Sequence, residues 1–254
     1  MRLLGPSRNA DGREPPIRPP AAPMIRALVT AGPTHEPIDA VRFIGNRSSG
    51  RMALAIARSL ADQGCRVTLL AGPGIDPAGS VETAPDRVRR FTTADDLGRL
   101  LAEEWPSHDL LVMAAAVADF KPAHRTEGKL RRDAAVAPVE LVPTGDLLAG
   151  LAATTRPDQF VVGFALEDPA ELERSAQDKL ARKRADVIVA NPLATMDSAD
   201  VDATLFLRDG RVERPADRPI PKPQFAAWLA ARILPDARAR LARGGPATLS
   251  SPYP

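Results

Sequence analysis

"FIGNRSSGRMALAIARSLADQG", residues 43–64, lies between two apolar runs, "IRALVTAG" (25–32) and "CRVTLLAG" (65–72). Short continuous apolar runs bounded by glycine read as buried strands. Between them Met52, Ala55, Ile56 and Leu60 recur at helical spacing, and Gly64 is the residue type that ends helices. The alternation then continues. "TADDLGRLLAEEW" opens on Thr93 as a helix N-cap, with Asp95 and Asp96 at the positive end of the helix dipole. "HDLLVMAAAVADF", "FVVGFALE" and "DVIVAN" hold further strands, and "ATLFLRDGRVER" a hairpin centred on Asp209-Gly210. Helices alternating with buried strands imply a three-layer, Rossmann-like α/β fold: a mostly parallel sheet with helices on both faces. The polar stretch 121–138 reads as a small loop excursion from that sheet.

The 254 residues divide into three parts. Residues 1–23 hold six prolines and no apolar period, and read as a disordered Pro/Arg-rich leader. Residues 24–234 form a single α/β domain, and 235–254 read as a flexible tail. Net charge is +2, with Arg2, Arg8, Arg13 and Arg18 outweighing Asp11 and Glu14 in the leader, and Arg238, Arg240 and Arg243 outweighing Asp236 in the tail. The body is therefore slightly acidic, and it holds few aromatics for stacking, which argues against nucleic-acid binding. No apolar run is long enough for a membrane span. Cys65 is the single cysteine, which excludes an internal disulfide and points to a reducing, cytoplasmic setting.

In parallel sheets ligands bind beyond the carboxyl ends of the strands. Glycine and polar residues crowd there, in "TAGPTHEP", "AAAVADFKP", "GFALED" and "VANP". Ser48, Ser49 and Gly50 put hydroxyls and unhindered amides at a helix start, where partial positive charge favours a phosphate. A plain serine N-cap is the alternative, and neither the dinucleotide fingerprint nor the P-loop is present. Asp119, just past a strand, suits ribose hydroxyls or general-base work, or merely caps its turn. Lys129, Arg131 and Arg132 in "GKLRR" are either solvated or a mobile basic loop that closes over a triphosphate. Lys179 and Lys183 share one helix face, to pair with glutamate or to meet a phosphate. His35, His108 and His124 are too scattered for a zinc site.

Taken in order, "VTAGPTHEPIDAVRFIGNRSSGRMALAIA", "AAAVADFKP" with Lys129 ten residues after Asp119, "VGFALE" and "KLARKRADVIVAN" resemble phosphopantothenate–cysteine ligase of coenzyme A biosynthesis, over residues 25–234. The resemblance implies activation of 4′-phosphopantothenate by CTP to an acyl-cytidylate, with release of pyrophosphate. L-cysteine then displaces CMP. It implies Mg²⁺ held through the nucleotide phosphates, a stand-alone ligase without flavin, a homodimer, and a separate phosphopantothenoylcysteine decarboxylase as a partner. By the same resemblance, Asn46 handles the acyl-cytidylate and Arg42 lies on the phosphopantothenate side. Asp119 contacts the ribose, and the backbone of Met113, Ala114 and Ala115 reads cytosine. Lys129 meets the triphosphate. Ser48, Ser49 and Gly50 cradle phosphate, and Gly145, Asp146, Leu147, Leu148, Phe164, Lys179 and Lys183 complete the nucleotide shell.

The chain departs from the family pattern at "KLRR" for Lys-x-Lys-Lys, at "TGD" for Asn-Pro-Asp, at "ANP" for Ala-Asn-Asp and across 196–204. A short-chain NAD(P)-dependent oxidoreductase is the rival class, but its Tyr-x-x-x-Lys is missing, since the single tyrosine is Tyr253 in the tail. A non-catalytic nucleotide-binding protein is the other rival.

Overall fold

Strand β1 (Arg26–Ala31) shows how the alternation becomes a layered fold, because five of its six residues are buried. Ala27, Val29 and Ala31 enter one core and Leu28 the other, so a single strand serves both faces. The computed structural model describes residues 24–77, 85–131, 138–168, 170–193 and 198–244. After β1 come β2 (His35–Pro37), β3 (Phe43–Gly45), α1 (Arg51–Asp62), β4 (Arg66–Ala71), β5 (Arg87–Arg90) and α2 (Ala94–Glu104). Next are β6 (Leu110–Met113), β7 (Phe120–Pro122), β8 (Leu141–Pro143), α3 (Leu147–Leu151), β9 (Phe160–Glu167) and α4 (Leu172–Lys183). The chain closes with β10 (Val187–Pro192), β11 (Asp200–Val201), β12 (Thr204–Leu207), β13 (Val212–Glu213), β14 (Ile220–Pro221) and α5 (Lys222–Gly244).

Eight strands form one sheet in the order β13-β12-β10-β9-β6-β1-β4-β5. Pairings from β10 to β5 are parallel, and β12 and β13 close the edge antiparallel. Helices α1 and α5 pack on one face, and α2, α3 and α4 on the other. The expected three layers are present. Thr93 caps α2 in a reciprocal capping box with Asp96. The expected hairpin is β12–β13, turning at Gly210 with φ 89°. The excursion is real as well: β7 and β8 pair only with each other, outside the main sheet.

Helical structure continues past the boundary drawn at residue 235. Helix α5 runs through Pro235 to Gly244. A proline inside a helix costs about 3 kcal/mol, and it reads in sequence as a stop. Contacts beyond it offset that cost. Ala237 is buried, Arg238 donates to the Gln63 carbonyl at 3.0 Å, and Arg240 donates to the buried Asp186 carboxylate at 2.6 Å. The leader, residues 1–23, and the rest of the tail, 245–254, lie outside the described residues, as do Arg132 and residues 196 and 197 of the divergent stretch. No helix among the described residues is long and apolar enough to cross a membrane. Cys65 is buried where β4 begins, and burial pushes its thiol pKa up against the nearby Arg238 charge, which suits packing and not nucleophilic work.

Candidate functional site

The carboxyl ends of β6, β9 and β10 and the amino end of α1 enclose a cleft of about 1000 Å³. Its first wall is the Asn46–Gly50 loop. The N-cap of α1 is Gly50, in the left-handed conformation at φ 67°, with no side-chain cap and no acid in the first turn. The plain serine cap is therefore not what the sequence builds. Among the described residues no side-chain cap bond satisfies the first-turn amides, which makes this helix end at the cleft wall a ready anion site with the dipole behind it. Only glycine fits at this point, because a Cβ on Gly50 would lie 2.3 Å from Ile75 Cδ1.

The second wall is the segment from Met113 to Asp119, stitched to the end of β1. The Ala115 amide donates to Thr30 Oγ1 at 2.9 Å, the Ala116 amide to the Gly32 carbonyl at 2.9 Å, and the Ala118 amide to Thr34 Oγ1 at 3.0 Å. Asn46 Nδ2 donates to the Val117 carbonyl at 3.0 Å, which ties the Asn46–Gly50 loop to this wall. The Ala115 amide is thus committed within the fold. A base read by Met113–Ala115 would have to use their remaining backbone groups.

Asp119 stands exposed at the end of the segment, and its carbonyl accepts from the Thr144 amide at 2.9 Å. That bond brings in Gly145–Leu148, where Asp146 caps α3 by accepting from the Ala149 amide at 3.1 Å. Lys183 pairs with Asp146 at 3.3 Å, and Lys179 pairs with Glu167, which also accepts from Ser175 Oγ at 2.8 Å. Burial alone would raise both carboxyl pKa values. For Glu167 the hydrogen bonds from Lys179 and Ser175 outweigh it. For Asp146 the Ala149 amide and the Lys183 charge do so, and both acids end below their ordinary values.

Asn46, Ser48, Ser49 and Gly50 therefore share one cleft with Met113, Ala114, Ala115 and Asp119, and with Gly145, Asp146, Leu147, Leu148, Phe164, Lys179 and Lys183. Arg42 and Lys129 do not line it. Arg42 pairs with the buried Asp39 at 2.9 Å. Asp39 also accepts from the Leu130 amide at 3.1 Å, and the Ala40 amide donates to the Gly128 carbonyl at 2.9 Å. The basic loop is thereby docked on the β2–β3 turn, with Lys129 exposed and its ammonium without a partner among the described residues.

Among the lining residues that escaped the sequence reading are Arg182, Asn191 and Lys222. Arg182 sits one turn from Lys179 on α4, a spacing that was legible. Asn191 is the penultimate residue of β10, where the strand-end rule pointed, and its Oδ1 is a buried acceptor with no hydrogen-bond partner among the described residues. Buried acceptors without donors are uncommon, and this one sits in the wall of the cleft. Nothing in the local sequence marks Lys222. Among the described residues no group of three or more His, Cys, Asp or Glu is gathered to hold a metal ion.

A family model described as DNA/pantothenate metabolism flavoprotein C-terminal domain matches residues 24–235. The chain is 40% identical over 187 residues to the coenzyme A biosynthesis bifunctional protein CoaBC of Mycolicibacterium smegmatis, covering 70% of this chain and 44% of that protein. It is 37% identical over 198 residues to the CoaBC of Vibrio cholerae, covering 75% and 48%. The chain thus spans about half the length of these curated relatives. The crystal structure of the C-terminal domain of a CoaBC protein superposes with a TM-score of 0.66 at 30% identity, over 86% of this chain and 96% of that one. The DNA/pantothenate metabolism flavoprotein from Streptococcus pneumoniae shares the fold, with a TM-score of 0.69 at 23% identity over 82% of this chain and 98% of the other.

Proposed function

The chain belongs to the DNA/pantothenate metabolism flavoprotein C-terminal domain family, and on that premise we propose that it is a phosphopantothenate–cysteine ligase of coenzyme A biosynthesis. One observation carries the reading. Fifteen residues named from motifs scattered between 46 and 183 line a single cleft at the strand ends.

In the first step a carboxylate oxygen of 4′-phosphopantothenate attacks the α-phosphorus of CTP, and the bond to the pyrophosphate leaving group breaks. In the second, the amine of L-cysteine attacks the acyl carbon and expels CMP. Such transfers need positioning and charge neutralisation more than a covalent nucleophile. The Ser48–Gly50 loop and the first-turn amides of α1 bind phosphate, Asp119 takes the ribose hydroxyls, and Lys179 and Lys183 turn from their carboxylates toward the nucleotide. Asn46, fixed by its bond to the Val117 carbonyl, meets the acyl-cytidylate. Lys129 reaches the triphosphate when its loop leaves the β2–β3 turn. Mg²⁺ is assigned to the nucleotide phosphates, no group of three or more His, Cys, Asp or Glu being gathered among the described residues, and no step is routed through it.

A homodimer belongs to the proposal. The β2–β3 and β7–β8 hairpins expose Val41, Phe43, Phe120, Val139 and Leu141, each by between 46% and 60%. Clustered exposed apolar side chains of this kind mark an interaction surface. Arg42, outside its own cleft, lies beside them and serves the partner's phosphopantothenate. The setting is the cytoplasm, with a phosphopantothenoylcysteine decarboxylase supplied by or passed to in the same route.

The test is pyrophosphate release from CTP in the presence of 4′-phosphopantothenate and magnesium, with and without L-cysteine. Cysteine-stimulated release is expected. A flat trace from folded protein overturns the assignment, and equal rates with ATP overturn its cytidine preference.

A further inference from the structure

A second cavity, of about 520 Å³, lies at the opposite end of the sheet, beneath the amino ends of β9 and β10. Five arginines line it, Arg156, Arg184, Arg208, Arg240 and Arg243, against one carboxylate, Asp186. That acid has no capacity to spare. Asp186 is buried and accepts from the Val161 amide at 2.8 Å, from Arg240 at 2.6 Å, and pairs with Arg208 at 3.4 Å.

Three of the arginines have structural duties. Arg240 lies over the Phe160 ring, 5.2 Å from its centroid, while bonding Asp186. Arg208 caps the end of α4 by donating to the Arg184 and Ala185 carbonyls. Arg156 pairs with Asp158 at 3.0 Å. Arg184 and Arg243 are different, because both are exposed and neither guanidinium has a partner among the described residues. Arg184 also holds the left-handed position after α4, at φ 49°, where glycine is the unstrained choice. An arginine is kept there against its backbone preference, with its guanidinium at the cavity.

We propose that this cavity is a binding site for a small phosphate-bearing compound, separate from the nucleotide cleft. Guanidinium forks match phosphate oxygens in pairs, and two unpaired forks beside three already anchored ones neutralise a multiply charged anion. The volume exceeds what one phosphate fills and lies in the range of organic ligand sites, while Ala152 and Pro157 supply apolar lining for the rest of such a molecule.

The fold supplies a local reporter. The Trp105 indole donates to Thr155 Oγ1 at 3.1 Å, and Thr155 lines the cavity. The other tryptophan, Trp228, packs on Phe225 in α5 and lines neither cavity. The experiment follows the two indole N–H signals by NMR in a titration of the full chain with inorganic pyrophosphate, with Trp228→Phe to assign them. A saturable shift of the Trp105 signal is expected, with Trp228 still. In Arg184→Ala/Arg243→Ala the apparent Kd should weaken by roughly tenfold or more. The same charge removal at Arg174 and Arg218, both exposed and lining neither cavity, should leave it unchanged. A Trp105 signal that does not move, or a shift that survives the double variant, overturns the proposal. So does equal weakening by the control pair. Should the double variant unfold, Arg243→Ala alone gives the same reading, since that side chain makes no contact the fold depends on among the described residues. Pyrophosphate bound in the nucleotide cleft does not mimic the result, because its effect would persist without Arg184 and Arg243.

Discussion

Asp39 and Leu130, 91 residues apart, are joined by a hydrogen bond of 3.1 Å from the Leu130 amide to the Asp39 carboxylate. The same carboxylate accepts from the Val41 and Arg42 amides, each at 2.7 Å, and from the Arg42 guanidinium at 2.9 Å. One buried acid therefore holds the turn carrying Arg42 and the loop carrying Lys129 in a common arrangement. The Val41 and Arg42 amides, then Leu130 and the Arg42 charge, hold its carboxyl below the ordinary range against the effect of burial. A depressed folded pKa means that docking is fully present above the unfolded value of about 3.9, and is lost as the pH falls through the folded value. Protection of the Leu130 amide against hydrogen exchange, taken relative to its intrinsic rate at each pH, should be high at neutral pH and fall only in acid. Asp39→Asn should free it at neutral pH; exchange as slow as in the parent chain would show that the loop is held by something else.

Lys129→Ala should slow pyrophosphate release by ~10²-fold or more, because charge developing on the triphosphate loses its counter-charge. Its thermal stability should stay the same, since the ammonium has no partner among the described residues. Unchanged release removes Lys129 from the chemistry. Asn46→Ala should instead let the acyl-cytidylate accumulate on addition of cysteine, and an unaffected second step would return Asn46 to a purely structural role.

Gly50→Ala combines a left-handed backbone with a Cβ driven into Ile75. Urea unfolding should show a loss of about 2 kcal/mol, with weaker CTP binding on top. Adding Ile75→Ala relieves the collision and leaves the backbone cost, so the pair should recover part of the loss and not all of it. A fully stable Gly50→Ala protein would mean that the loop has another arrangement.

Asn191→Ala should separate stability from binding. With Oδ1 making no hydrogen bond among the described residues, unfolding free energy should change by no more than about 0.5 kcal/mol. If the nucleotide supplies the missing donor, CTP binding measured by calorimetry should weaken by roughly tenfold. Equal affinity would detach this acceptor from the ligand.

Ending the chain after Leu234 should cost roughly 3 kcal/mol, because Asp186 stays buried while Arg240 is removed. A melting temperature matching that of the longer chain would restore the boundary that the sequence suggests.

Legibility tracked locality. The 25–72 stretch announced its strands and helix because each signal, a continuous apolar run or a helical stripe, is complete within a dozen residues. Thr93 and Asp96 announced their cap for the same reason. Part of the cleft was legible because Asp119 and Phe164 stand in stretches that follow strand ends, whereas Gly145 was named only through the family resemblance. What stayed hidden depends on distant partners. Pro235 reads as a stop unless Gln63 and Asp186 are known to wait beyond it. Lys129 reads as free unless Asp39 is known to hold its loop. Asn191 becomes notable only when its buried oxygen is found without a donor.

The pairing of Lys179 with Glu167 and of Lys183 with Asp146 has a consequence for how the cleft admits a ligand. The two carboxylates are placeholder anions, seated on cations that the reading reserves for phosphate. Nucleotide entry then becomes an exchange of counter-ions and not the filling of a bare positive hole. A weak anion gains nothing by displacing a carboxylate already in place, whereas a triphosphate brings enough charge to evict both. On the proposed function, selectivity for polyphosphate would follow from this competition inside the protein before any base is read.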